Sequence, residues 1–162
     1  MKIIHLSLLI LLAGLYTANA QLATRPKKPP VGVPADAQLF NGKWYRIYIE
    51  KLPWNSARDR CHALGGQLAV IPDEPTWVFV RELAEQRDLW MGATDAETEG
   101  LWKWIDGTPF KFKAWNRREP NNMDGKENYL TTAGNGWNDV QRNGQIWGRQ
   151  YVLGFICQWK DR

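Results

Sequence analysis

Five oxygen-bearing side chains stand close together in the second half of the chain. Glu119 and Asn121 flank Pro120, Glu127 follows, and Asn138 and Asp139 stand side by side soon after. Three carboxylates and two amide carbonyls are hard donors. They suit a cation that takes six to eight oxygens at about 2.3–2.6 Å, which describes calcium. Magnesium demands a tighter octahedron, and zinc wants nitrogen or sulfur, which this stretch lacks. The three carboxylates carry −3, so a bound Ca²⁺ leaves a net charge of about −1. Acidic and Asn-rich segments also make ordinary solvated turns, and composition alone leaves both readings open.

Other chemistries find little support. The chain has 2 Cys and 2 His, too few for a cysteine cluster or most histidine-based metal sites. His62 lies beside Cys61 in a helical pattern and reads as an ordinary helix residue. No Ser/His/Asp order, P-loop or dinucleotide fingerprint is present. Glu119 and Glu127 resemble a glycosidase pair, but ligation would keep both ionised where a general acid must hold a proton. An enzyme is not expected. The formal charge is +4, or +3 once Lys2 is set aside with the leading segment. That is too weak and too dispersed to indicate a nucleic-acid partner.

The acidic stretch must be held by a scaffold, and the periodicity predicts one. Lys43 to Ile49 reads as a strand. Pro53 opens a helix in which Trp54, Ala57, Cys61 and Leu64 share a face, closed by Gly65-Gly66. Gln67 to Ile71 is a short strand. Asp73 caps a second helix with Pro75 in its first turn, running through Trp77, Val80, Leu83 and Ala84 to about Arg87. Leu89 to Ala93 is a buried strand, and Trp102-Lys103-Trp104 alternates. Tyr129–Thr132, Trp137–Val140 and Tyr151–Trp159 read as closing strands. Between Ile105 and Asn128 there is little periodicity, and long irregular stretches inside compact domains are usually functional. The order implies an α+β domain.

Residues 1–20 read as a secretory signal. Lys2 gives a positive start, Ile3 to Leu15 an apolar core, and Ala18-Asn19-Ala20 a site for cleavage after Ala20. The apolar run is shorter than the ~20 residues a membrane span needs, and no later stretch is apolar enough. The protein is expected to be secreted and extracellular (periplasmic in a bacterium). Residues 21–37 form a Pro- and Lys-rich leader, expected to be extended and solvated. The domain occupies residues 38–160. Export permits a disulfide, and the two cysteines make one pair, Cys61–Cys157; two free thiols are the alternative. Closing that loop would constrain the unfolded chain by roughly 4–5 kcal/mol. The leader shows neither heptads nor collagen triplets, and the oligomeric state is not legible.

Glu119-Pro120-Asn121 and Trp137-Asn138-Asp139, in that order and spacing, resemble the signature of C-type lectin domains of the mannose-recognising kind. The resemblance extends over Gln38 to Lys160. It includes Cys61 before Gly65-Gly66, the Trp90-Met91-Gly92-Ala93 strand and Phe155-Ile156-Cys157. It implies a double-loop fold: two helices, a small antiparallel sheet and a long calcium-binding loop, with Cys61–Cys157 stapling the first helix to the last strand. It also implies a principal calcium on Glu119, Asn121, Glu127, Asn138 and Asp139, Pro120 in cis, and sugar binding by the same five residues. An acid-Pro-amide order implies equatorial 3- and 4-hydroxyls, as in mannose, glucose or N-acetylglucosamine; fucose offers an equivalent pair. A second, auxiliary calcium matches Asp95 and Glu99, with Asn122 and Asn128 where acids are usual. The family's inner disulfide is missing, its positions taken by Tyr129 and Arg142.

Three features stand outside the resemblance. Arg142 to Cys157 is longer than usual; Asn143-Gly144 signals a turn, so an extended hairpin carrying Trp147 is expected, with Trp147 packed in the hairpin or core rather than serving as a sugar platform. Lys111, Lys113, Arg117 and Arg118 precede Glu119, either as a solvated basic loop or as a cationic rim for anionic glycans. Finally, a fold hosts many functions, and a C-type lectin-like module binding a protein or another non-sugar ligand is the alternative.

Overall fold

The computed structural model describes residues 27–161. The expected signal segment and its cleavage point at Ala20 lie outside the described residues. The domain starts with a hairpin of β1 (Gln38–Phe40) and β2 (Lys43–Tyr48). Helix α1 (Trp54–Ala63), β3 (Gln67–Leu68) and helix α2 (Glu74–Ala84) follow, then β4 (Leu89–Thr94) and β5 (Lys103–Trp104). A long loop ends in a short 3₁₀ turn, Met123–Gly125. The chain closes with β6 (Glu127–Ala133), β7 (Gly136–Gln141), the small hairpin β8 (Gln145–Ile146) and β9 (Arg149–Gln150), and β10 (Gly154–Lys160). The fold is α+β, as expected.

Helix boundaries follow local chemistry. On the buried face of α1 lie Trp54, Ala57 and Cys61. Gly65 ends the helix at φ +74, donating its N–H to His62 O at 2.9 Å. Gly66 lies against the last strand, where a Cβ would stand 2.7 Å from Gln158 O. At the start of α2, Asp73 Oδ1 accepts the N–H of Thr76 at 2.9 Å, with Pro75 in the first turn. The helix stops at Ala84 rather than near Arg87, because Glu85 and Gln86 both adopt positive φ (49° and 61°).

The main sheet has eight strands, ordered β1-β2-β10-β4-β6-β7, with β3 on β10 and β5 on β4. One pair, β10 with β4, runs parallel; the other pairs are antiparallel. The sheet is therefore larger and more mixed than the small antiparallel sheet expected. Cys61 and Cys157 are bonded, joining α1 to β10. β10 begins at Gly154 rather than Tyr151. The Tyr151 and Val152 amides both turn to Gly144 O, and that of Leu153 to Asp88 O.

Residues 27–37 are not a free extended leader. Val33 and Ala37 close turns onto Pro30 O and Pro34 O at 3.0 Å. Ala37 is buried, and Val33 packs against the cluster around Trp44, Trp90 and Trp159. Lys27 is ion-paired with Asp161, and Arg46 with Asp36. The apolar contacts of Val33 and Ala37 explain why this segment docks.

A second cluster centres on Trp137, a fully buried residue of β7. Trp77, Trp104, Phe110, Phe112 and Trp115 surround it at ring-centroid distances of 5.6–5.9 Å. Four of the five meet it nearly edge to face, the geometry that aromatic quadrupoles favour. Phe110 to Trp115 belong to the irregular stretch, so the long loop is anchored by its rings. Its backbone is fastened too: Trp137 N–H donates to Ala114 O at 2.8 Å, and Asn116 N–H to Trp137 O at 3.0 Å. Gly136 permits this approach, since a Cβ there would lie 2.4 Å from Asn116 Oδ1.

Candidate functional site

Trp137 is followed directly by Asn138 and Asp139. The aromatic cluster thus fixes the strand that presents both, and it holds the base of the loop that carries Glu119 and Asn121. The Glu119–Pro120 peptide is cis, as the resemblance implied. Beyond it the loop crosses over the end of β7. Asp139, wholly buried, accepts the backbone N–H of Asn121 on Oδ1 at 3.1 Å and that of Asn122 on Oδ2 at 2.7 Å. Asn122 Oδ1 in turn accepts the N–H of Glu127 at 3.1 Å, and Glu127 Oε2 accepts that of Met123 at 3.1 Å. These bonds turn one short segment into a rigid bracket between β6 and β7. Sequence patterns gave no sign of these main-chain donors, because any residue type supplies an N–H.

The bracket gathers carboxylates. Burial pushes Glu127 up to about 7; the Met123 N–H pulls it back, and Asp139, Glu119 and Asp124 push it further. Burial also raises Glu119, helped by the neighbouring Asp139 carboxylate. Such crowding signals a site where positive charge is wanting. Two buried oxygens, Glu119 Oε2 and Asn138 Oδ1, have no hydrogen-bond partner. Buried polar atoms are rarely left so. Among the described residues no three His, Cys, Asp or Glu side chains cluster closely enough to hold an ion unaided. A cation here needs the amide oxygens as well. The donor set is therefore all oxygen, part charged and part amide, with orphaned acceptors, and it fits calcium.

The structure thus brings Glu119, Asn121, Glu127 and Asp139 together. Asn138 lies next to Asp139 on β7, 9% exposed. Asp95, Glu99 and Asn128 also meet. Asn128 Nδ2 donates to Asp95 Oδ1 at 3.3 Å and to Glu99 Oε2 at 3.4 Å, and Asp95 Oδ2 accepts the N–H of Gly100 at 2.9 Å. An amide N–H₂ here sits between two carboxylates, and Asn122 joins them by a hydrogen bond to Glu99.

At the missing inner bridge, Tyr129 lies 5.0 Å from the Trp54 ring and 6.5 Å from that of Trp90. Arg142 O accepts the N–H of Trp54 at 2.9 Å. Aromatic packing and a main-chain bond tie α1 to the site's strands instead. The basic side chains Lys111, Lys113, Arg117 and Arg118 are all exposed. Trp147 corrects the sequence-based expectation. It is 84% exposed, because it sits on the tip of the β8–β9 hairpin, which turns at Trp147-Gly148; the expected turn at Asn143-Gly144 is present too, closed by the Gly144 N–H on Gln141 O at 2.8 Å.

The chain matches the model of the Lectin C-type domain over residues 50–158. It is 37% identical to the CD209 antigen of Pongo pygmaeus over 115 residues, 68% of this chain and 28% of that protein. The chain therefore spans well under half the length of that relative. Two solved structures share the fold. The mouse scavenger receptor C-type lectin carbohydrate-recognition domain has a TM-score of 0.70 at 26% identity, covering 80% of this chain and 98% of that one. The cow C-type carbohydrate-recognition domain of CD23, solved in the presence of a GlcNAc2Man3 oligosaccharide, has a TM-score of 0.71 at 27% identity, covering 79% and 95%. None of the described helices is long and apolar enough to cross a membrane. From the matched span, the signature residues and the fold, the chain belongs to the C-type lectin domain family.

Proposed function

We propose that this is a secreted, calcium-dependent carbohydrate-binding protein, held to its sugar by Glu119, Asn121, Glu127, Asn138 and Asp139. The observation that carries this is the pair of buried oxygens without partners, Glu119 Oε2 and Asn138 Oδ1, within a bracket of raised carboxylates. Calcium, when bound, supplies open coordination positions that two vicinal hydroxyls can fill. Each hydroxyl has a proton and a further lone pair. The Glu119 and Glu127 carboxylates accept the protons, and the Asn121 and Asn138 amide N–H₂ groups donate to the lone pairs. Amide oxygens turned toward the cation fix which way those N–H₂ groups point. Equatorial 3- and 4-hydroxyls suit this arrangement, which favours mannose, glucose, N-acetylglucosamine and fucose over galactose. A shallow polar site of this kind binds single sugars on the order of mM.

One calcium per chain is the stoichiometry we carry. The auxiliary set of Asp95, Glu99, Asn122 and Asn128 already satisfies itself through the Asn128 amide. Calorimetric titration with Ca²⁺, then with methyl α-mannoside and methyl α-galactoside, tests the proposal. The expected result is one calcium per chain and heat from the mannoside only, abolished by EGTA and weakened by Asn121→Asp. A second calcium would assign the auxiliary site. Absence of calcium uptake would overturn the calcium reading. Calcium uptake without mannoside or other glycan binding would favour the non-sugar alternative.

A further inference from the structure

The β8–β9 hairpin forms a small sheet of its own beside the main one, and its tip is costly. Trp147 and Gly148 take consecutive positive φ values, 49° and 73°. A two-residue hairpin turn of that shape favours Asn-Gly, and a bulky side chain at its first position is strained. Trp147 is also 84% exposed, the most exposed aromatic group among the described residues. The indole therefore works against the fold on both counts, and strain of this kind points to a function.

The hairpin overhangs a cavity of about 220 Å³ lined by Asp124, Glu127, Gln141, Asn143, Gln145 and Trp147. Glu127 belongs at once to this cavity and to the candidate cation site, so the two adjoin. Met123 and Ile146 add apolar surface beside the indole, and the remaining side chains are acids and amides, which hydrogen-bond hydroxyl groups. An aromatic face beside polar acceptors matches a pyranose, which is apolar on its C–H face and polar at its edge.

On the reading of the calcium site given above, we propose that the hairpin forms a second sugar subsite, in which Trp147 stacks on the pyranose adjoining the one held at Glu119 and Glu127. The ligand class is then a neutral oligosaccharide rather than a lone monosaccharide. A lipid surface is the less suited occupant, because the tip offers one exposed aromatic side chain rather than an apolar face, and the Asp124 carboxylate beside it repels anionic headgroups.

The test compares methyl α-mannoside with linear mannotriose by calorimetry on the full chain in calcium. Wild type should bind the trisaccharide roughly five- to tenfold more tightly than the monosaccharide, a stacking-sized gain. Trp147→Asn suits the turn and keeps the hairpin folded. It should bring that ratio close to one while methyl α-mannoside affinity stays within about twofold, and Trp147→Phe should restore most of the gain. An unchanged ratio in Trp147→Asn would overturn the subsite while leaving the calcium site standing. If wild type binds neither sugar, the function proposed above fails first and the subsite with it. Cosedimentation with phosphatidylcholine or phosphatidylserine vesicles in EGTA, lost in Trp147→Asn, would assign the tip to membranes and overturn it as well.

Discussion

Asp139 Oδ2 accepts the backbone N–H of Asn122 at 2.7 Å, while its other oxygen accepts that of Asn121. One buried carboxylate thus shapes the loop after Pro120 before it contributes any ligand. Asp139→Asn keeps the shape but turns one acceptor into a donor facing a donor. Calcium affinity should fall by at least about 100-fold. In the calcium-free protein, hydrogen exchange at Asn121 or Asn122 should also speed up. Unaltered exchange there would show that the carboxylate does not hold the loop.

Acid should release calcium. Without metal, Glu127 holds its proton up to about pH 7, mainly through burial; to ligate, it must give that proton up. Calcium uptake near pH 6 should therefore release close to one proton, and apparent affinity should fall about tenfold per pH unit below 7. Calorimetry in buffers of different ionisation enthalpy measures the proton directly. Heats independent of buffer would contradict the coupling.

Asp88 offers a test of stability away from the site. Burial raises its carboxyl to about 6, although a hydrogen bond from the Tyr151 hydroxyl draws it down. The folded protein thus holds this proton more firmly than the unfolded chain, whose carboxyl titrates near about 3.9. Its contribution is fully present below about pH 4 and is lost as pH rises through 6. Asp88→Asn should stabilise the protein at pH 7.5 by on the order of 1 kcal/mol, allowing for solvent screening. At pH 4 it should give nothing. Thermal melts at both pH values decide it.

The basic side chains before Glu119 make a charge-dependent prediction. Lys111, Lys113, Arg117 and Arg118 are exposed, and exposed charges are screened within about 8 Å at physiological ionic strength. If they form a rim for anionic glycans, raising salt from 50 mM to 500 mM should weaken binding of a uronic-acid oligosaccharide severalfold and leave methyl α-mannoside unchanged. Equal responses would remove the rim.

Much of this architecture is readable from residue order. Asp73 caps α2 as its type and position suggest, and the period of Trp54, Ala57 and Cys61 marks the buried face of α1. Glu119-Pro120-Asn121 and Trp137-Asn138-Asp139 point to the site because side-chain chemistry is written in residue type. The misjudged features depend on backbone conformation or distant contacts. Glu85 and Gln86 end α2 through positive φ values that neither residue advertises. Asn143-Gly144 is a strong local turn signal and the chain does turn there, the Gly144 N–H donating to Gln141 O at 2.8 Å; the exposed Trp147 is misjudged because a second turn at Trp147-Gly148 rests on a positive φ that tryptophan does not advertise. Residues 27–37 look like a solvated tether until Lys27 meets Asp161, a contact spanning 134 positions. The Met123, Asn121 and Asn122 amides that build the bracket are equally invisible, since they belong to the main chain.

The exposure of Trp147 has an optical consequence. Of the ten tryptophans, seven are buried, Trp102 and Trp115 are half-buried, and Trp147 alone stands in water. Its emission should sit at the red edge of the fluorescence spectrum, and iodide should quench it before the others. The molecule thus carries a native reporter at the hairpin tip, one that registers an approaching sugar without any dye.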